Sequence, residues 1–202
     1  MKLSASIIAA VAALVSFLTI PALAENPTWK IDSSHSSAQF SVRHMEISTV
    51  RGQFSKVSGT IIYDDVDIST SSVEVTIDTT TVDTREPNRD KDIRGADFLD
   101  VERFPTMSFK STKVEKVSDG KLKVTGDLTI RGVSKSVILE VDGPSKPIKD
   151  PWGNLRMAAS ATTKINRQDF GVRWSHTLDN GGLVVSNEVA ITLDVEMIQP
   201  AK

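Results

Sequence analysis

Apolar and polar positions alternate along most of the chain. Ala38, Phe40 and Val42 interleave with Gln39, Ser41 and Arg43; Val73, Val75 and Ile77 with Glu74, Thr76 and Asp78. Leu122, Val124, Gly126, Leu128 and Ile130 form a longer run, as do Val189, Ile191, Leu193, Val195 and Met197. Successive strand side chains point to opposite faces, so period two predicts β-strands with one buried face. Weaker alternation predicts strands over 28–32, 55–63, 106–114, 136–141 and 155–165, and the last strong run extends back to give a strand over 183–197. Turn signals separate these runs: Asp64-Asp65, Ser118-Asp119-Gly120, Gly143-Pro144, Asp150-Pro151-Trp152-Gly153 and Asn180-Gly181-Gly182. Long alternating strands at regular intervals favour an antiparallel barrel over a parallel sheet. No internal repeat or linker breaks the series, so one all-β domain is the simplest organisation.

Residues 88–100 interrupt the pattern. Asn88 can cap a helix, Asp90 and Asp92 suit its positive end, and Ile93, Ala96 and Leu99 form a short apolar stripe. This predicts one short helix across a barrel mouth. A second helical turn is expected at Arg167-Gln168-Asp169-Phe170.

Residues 1–24 read as an export signal, outside the fold. Lys2 precedes a nearly continuous apolar run from Ile7 to Ile20, and Ala22-Leu23-Ala24 fits a cleavage pattern. The run is shorter than the roughly 20 residues of a spanning helix. The domain is therefore expected over 25–202, as a soluble periplasmic protein with no stable membrane span.

Composition excludes several classes. The 202 residues contain no cysteine, which removes disulfide scaffolds, thiolate metal sites and lipid attachment through an amino-terminal cysteine. A net charge of −2 argues against a nucleic-acid binder, whose phosphate contacts need clustered cations. The three histidines, His35, His44 and His176, have no metal-ligand spacing, and no nucleophile elbow or phosphate loop is present. Neither a catalytic residue, a metal nor a cofactor is expected.

Binding remains. An eight-stranded barrel can be wide enough for one small ligand. The inward residues are mostly large and apolar, with Ala38, Gly126, Ala159 and Ala161 among them. Small residues among large ones fit a void, although close packing is the default for interiors. Arg89, Asp90, Asp92, Arg94 and Asp97 crowd one short element, and Asn166-Arg167-Gln168-Asp169 forms a second polar cluster. Each fits either surface ion pairs or a polar rim at the mouth.

Longer motifs carry a resemblance. Trp29-Lys30-Ile31-Asp32, Phe40-Ser41-Val42-Arg43-His44 and Val50-Arg51-Gly52-Gln53-Phe54 begin the series. Arg89-Asp90-Lys91-Asp92-Ile93-Arg94-Gly95-Ala96-Asp97-Phe98-Leu99-Asp100 is its most specific part. Phe104-Pro105, Gly126-Asp127-Leu128-Thr129-Ile130-Arg131-Gly132-Val133, Asp150-Pro151-Trp152-Gly153 and Asn166-Arg167-Gln168-Asp169-Phe170-Gly171 complete it. The chain resembles the YceI-like family of bacterial periplasmic polyisoprenoid-binding proteins.

The resemblance implies a lipocalin-like fold, an extended eight-stranded antiparallel barrel with an apolar tunnel for an isoprenoid or other amphiphilic lipid. It also implies no catalysis, and a homodimer in at least some members. On this reading Phe40, Val42, Phe54, Ile61, Leu128, Ile130, Leu139 and Met157 line the tunnel, while His44, Arg94, Asn166 and Arg167 stand at its mouth. Asp92 departs from the family, which often has His there, and Glu46 stands where a neutral residue is common. Both add negative charge near the expected mouth and weigh against a strongly anionic head group. The alternative is a structural or interaction barrel with a filled core; a third reading, an enzyme acting on lipid in the tunnel, rests on His35, His44 and nearby acids.

Overall fold

The computed structural model describes residues 27–201. The expected export signal lies outside the described residues. Among the described residues, twelve strands and one α-helix build the domain: β1 Thr28–Ile31, β2 Ser37–His44, β3 Ser48–Phe54, β4 Val57–Ile62, β5 Ser72–Asp78, β6 Val82–Asp83, α1 Pro87–Arg94, β7 Thr106–Ser118, β8 Lys121–Ile130, β9 Val133–Asp142, β10 Ile148–Lys149, β11 Leu155–Asn166 and β12 Glu188–Gln199.

Eight of the strands close a ring in the order β1-β4-β5-β7-β8-β9-β11-β12, with β12 returning to β1. Every pairing is antiparallel. β1 and β2 are two halves of one bent strand along β12: Ile31 faces Met197, and Ala38 faces Leu193. β3 and β6 extend the β2 side of the wall. The strand directions define two ends. At the mouth lie the β2–β3 turn, α1, the β8–β9 turn and the long segment between β11 and β12. At the base lie the β4–β5 and β7–β8 connections and the β10–β11 hairpin.

The alternation places side chains as the pattern requires. Met157, Ala161 and Ile165 of β11 point inward and are buried, while Ala158, Ser160 and Thr162 are exposed. The Ser118-Asp119-Gly120 signal closes the β7–β8 hairpin, with Gly120 at φ 69°, a backbone region that glycine adopts at little cost.

Three expectations need correction. Residues 48–54 form β3, an element with no counterpart among the expected strands. The helix begins one residue earlier and stops sooner. Its cap is Glu86, not Asn88: the Glu86 carboxylate accepts from the backbone N–H of Asn88 (3.3 Å) and Arg89 (2.6 Å). Pro87 then occupies the first helical position, where its missing N–H costs nothing. The helix ends at Arg94, before Gly95, so Ala96 is exposed while Ile93 and Leu99 still pack against the core. Finally, β12 starts at Glu188, not at 183. The expected turn at 167–170 is a 3-10 turn, capped by Asn166.

Candidate functional site

The barrel is hollow. A cavity of about 950 Å³ runs through it, lined by the inward faces of the strands. That lies at the upper end of the roughly 300–1,000 Å³ typical of small-molecule pockets. The inward positions of β8 span Leu122 to Ile130, about 26 Å along the strand at about 3.3 Å per residue.

Glycines at two inward positions let aromatic rings lie along the wall. A Cβ on Gly52 would stand 2.4 Å from the Phe40 ring, directly across the β2–β3 ladder. One on Gly126 would stand 2.5 Å from the Phe109 ring. Gly126, expected among the void-leaving residues, is thus covered by an aromatic ring, whereas Ala38, Ala159 and Ala161 do line the cavity.

The structure brings ten of the twelve expected site residues to one cavity. Phe40, Val42, Phe54, Ile61, Leu128, Ile130, Leu139 and Met157 line its body, and His44 and Arg167 its mouth end. The other two lie off the lining. The Arg94 guanidinium donates to the carbonyls of Thr80 (3.1 Å) and Val82 (2.9 Å), tying α1 to the wall. The Asn166 side chain accepts from the backbone N–H of Gln168 (3.0 Å) as a cap. The rim carries Arg89, Lys91, Asp92 and Asp97. Of these, Lys91 adds to the expected polar groups, and its signal was present, since it sits inside the Arg89–Asp100 motif. Arg89 is partly committed, donating to the Thr84 hydroxyl and carbonyl (both 2.8 Å).

Arg167 is 5% exposed and faces no carboxylate among the described residues. Its guanidinium donates to the carbonyls of Ser186 (2.9 Å), Val172 (2.9 Å), Trp174 (2.7 Å) and Val185 (3.3 Å), and to Asn187 Oδ1 (3.1 Å). Burial lowers its pKa below the usual arginine value, yet arginine remains charged. Its five donors are all used, so it organises the segment between β11 and β12 and has none left for a head group. The same bonds explain the late start of β12: the carbonyls of Val185 and Ser186 serve the arginine.

His35 precedes β2 and His44 ends it, and the two do not converge. His44 lies at the mouth; His35 lies with Asp32 and Glu196 on the outside, where the three offer ligand atoms within 4.8 Å of one another. That cluster already has a cation. The Arg156 guanidinium donates to Asp32 (2.7 Å), Asp150 (2.8 Å) and Glu196. Arg156 and His35 hold the Asp32 carboxyl well below the usual range. Burial pushes Asp150 up, but bonds from Arg156, Asn154 and the Trp152 backbone outweigh it and bring its pKa to about 2.

A closed antiparallel barrel around a mostly apolar chamber, with charged groups gathered at one end, defines a lipocalin-like binding fold. The chain belongs to the YceI-like family, whose domain matches residues 29–197. It is 38% identical over 188 residues to the protein YceI of Salmonella newport, covering 92% of this chain and 94% of that one. It is also similar to the crystal structure of the Campylobacter jejuni YceI protein, at 30% identity and a TM-score of 0.67, over 78% of this chain and 90% of that one. A polyisoprenoid binding domain from Saccharophagus degradans shares the fold, at 15% identity and a TM-score of 0.61, over 85% and 98% of the two chains.

Proposed function

We propose that the protein is a periplasmic binding protein that carries an isoprenoid lipid or similar long-chain amphiphile inside its barrel, without catalysis. The carrying observation is the 950 Å³ cavity, mostly apolar along its body and with its charged groups at one end. Each buried methylene contributes about 0.8 kcal/mol. Ten would contribute roughly 8 kcal/mol before the costs of association, so a lipid chain needs few polar contacts. Phe40, Val42, Phe54, Ile61, Leu128, Ile130, Leu139 and Met157 contact the chain. His44 stands near the head group, together with Lys91 and Asp92.

Membership in the YceI-like family, together with a fold shared with a polyisoprenoid binding domain, supports this ligand class. The expected export signal and the lack of cysteine for lipid attachment support a soluble periplasmic location. Opposite charges on Lys91 and Asp92 favour a head group of low net charge over a diphosphate. A homodimer accords with the same kinship.

The test is native mass spectrometry of the protein purified gently from its host, followed by organic extraction. A bound isoprenoid or fatty mass is expected. Apo protein that also refuses offered lipids would point to a structural barrel instead. Ile130→Trp fills the chamber and should weaken uptake of a fluorescent sixteen-carbon fatty acid by about tenfold, equivalent to about 1.4 kcal/mol. Circular dichroism checks that the variant folds.

A further inference from the structure

The barrel wall is not zipped evenly. β11 faces β12 at all twelve of its positions, from Leu155–Gln199 to Asn166–Glu188. On its other edge it meets β9 only where Ser160, Ala161 and Thr162 face Asp142, Val141 and Glu140. Nearer the mouth, β9 continues to pair with β8 as far as Val133, yet among the described residues it has no partner strand on the β11 side. The wall there consists of side chains. Lys135 shares the inward register of Val137 and Leu139 but is exposed, as expected where the wall is open.

Apolar groups fill the gap. The 167–170 turn packs against β9, and its Phe170 is 2% exposed, lining the cavity beside Ile165. Phe98 and Trp174 meet above it, ring centroids 5.5 Å apart, and both line the cavity. Each side of this pair is held by an arginine. Arg131 donates to the carbonyls of Ala96 and Phe98, and Arg167 to that of Trp174.

We infer that the chamber loads sideways, through the unzipped half of the β9–β11 seam, with Phe170, Trp174 and Phe98 as its closure. This rests on the reading of the barrel as a lipid carrier and adds the route. The β5–β7 seam is also unpaired toward the base beyond Lys110, but there the 68–70 turn packs on β7 and the Val73 N–H donates to the Ser111 hydroxyl (2.8 Å), so parting it breaks a hydrogen bond, as parting the paired stretches breaks ladder bonds. Parting the closure separates only apolar side chains, and the entering lipid chain then packs against the same rings. The route past α1 instead crosses the charged groups of Lys91, Asp92 and Asp97. A hydrocarbon chain gains nothing from those and must desolvate them.

The chain has no cysteine, so two introduced thiols can be bridged selectively. In the Phe98→Cys/Trp174→Cys variant, a short bis-maleimide joins the two sides of the closure. The probe is a fluorescent sixteen-carbon fatty acid offered in phosphatidylcholine vesicles. The unbridged variant should load at least as fast as wild type. The bridged form should load about tenfold more slowly, to the same final stoichiometry. A Ser160→Cys/Asp194→Cys pair, which faces outward across the fully zipped β11–β12 ladder, should leave the rate unchanged when joined. Equal rates for bridged and unbridged closure, at normal capacity, would overturn the route while leaving the carrier intact. No uptake by any form, wild type included, would overturn both. Phe98→Ala, a half-buried truncation, gives a second reading: faster loading is expected, and an unchanged rate counts against the closure.

Discussion

Two arginines mark the ends of β11, and their surroundings are opposite. Arg156, near the base, faces three carboxylates on the outside of the barrel. Arg167, at the mouth, is buried among backbone carbonyls and one asparagine. The first acts through charge, holding three acids that would otherwise repel. The second acts through geometry: its planar fork of donors fits carbonyls that approach from several directions. Residue type alone does not disclose the role; the acceptors around each guanidinium do.

The largest effect should follow from removing the geometric hub. Arg167→Ala leaves four carbonyls without their guanidinium donor in a mostly buried site, and Asn187 Oδ1 with Gln168 alone, at a cost of about 1–3 kcal/mol for each acceptor that water cannot reach. We expect a net loss on the order of 3 kcal/mol in urea unfolding. Hydrogen exchange should quicken across the segment between β11 and β12. Arg167→Lys should recover only part of this, because an ammonium keeps the charge but loses the fork. Full recovery by lysine would mean that charge, not geometry, is what the site needs.

Arg156→Met should cost less at neutral pH but flatten the acid response. In the native protein the folded pKa values of Asp32 and Asp150 lie below their unfolded values. That stability is fully present above about pH 4. It is lost as pH falls through the folded values, toward about 2 for Asp150. Without the guanidinium, Asp32 keeps only the bonds from His35 and Ser34, and Asp150 those from Asn154 and the Trp152 backbone, so their folded values move up toward the unfolded ones. Stability then changes less with pH through the carboxylate range than in the native protein. Thermal unfolding between pH 2 and about pH 7 reads the slope; parallel curves for the two proteins would show that Arg156 does not govern the acids.

Asn187→Ala should have the smallest effect. Asn187 Oδ1 accepts from Arg167 and from Gln168 (2.9 Å). Its loss removes two hydrogen bonds at a partly exposed site and leaves the four carbonyls in place, for about 1 kcal/mol. A cost matching that of Arg167→Ala would mean that the asparagine, and not the carbonyl set, anchors the guanidinium.

Much of the barrel was legible because alternation reports directly on which face a side chain occupies. β3 escaped for a physical reason. Its inward positions are Val50, Gly52 and Phe54, and the glycine removes the apolar signal at the centre. The Phe40 ring from the neighbouring strand covers that position instead. The helix cap was misplaced because a glutamate before proline is a weaker signal than an asparagine. Among the site residues, seven tunnel positions lay on expected strands and followed from parity; Phe54, on β3, entered only with the family motif. Arg94, Asn166 and Arg167 were not legible, because a polar residue near a mouth can face the ligand, cap a turn or staple a loop. Its sequence neighbours are the same in each case.

The strands, their inward faces and the polar cluster beside α1 follow from the order of residues, since side-chain direction alternates wherever a strand forms. The hollow interior does not follow from it. The circumference of an eight-stranded ring is set by backbone spacing and tilt, and the side chains that face inward do not fill it. Nor does the order of residues say which seam stays unzipped: register between distant strands depends on how the ring closes and not on the local pattern of any one of them.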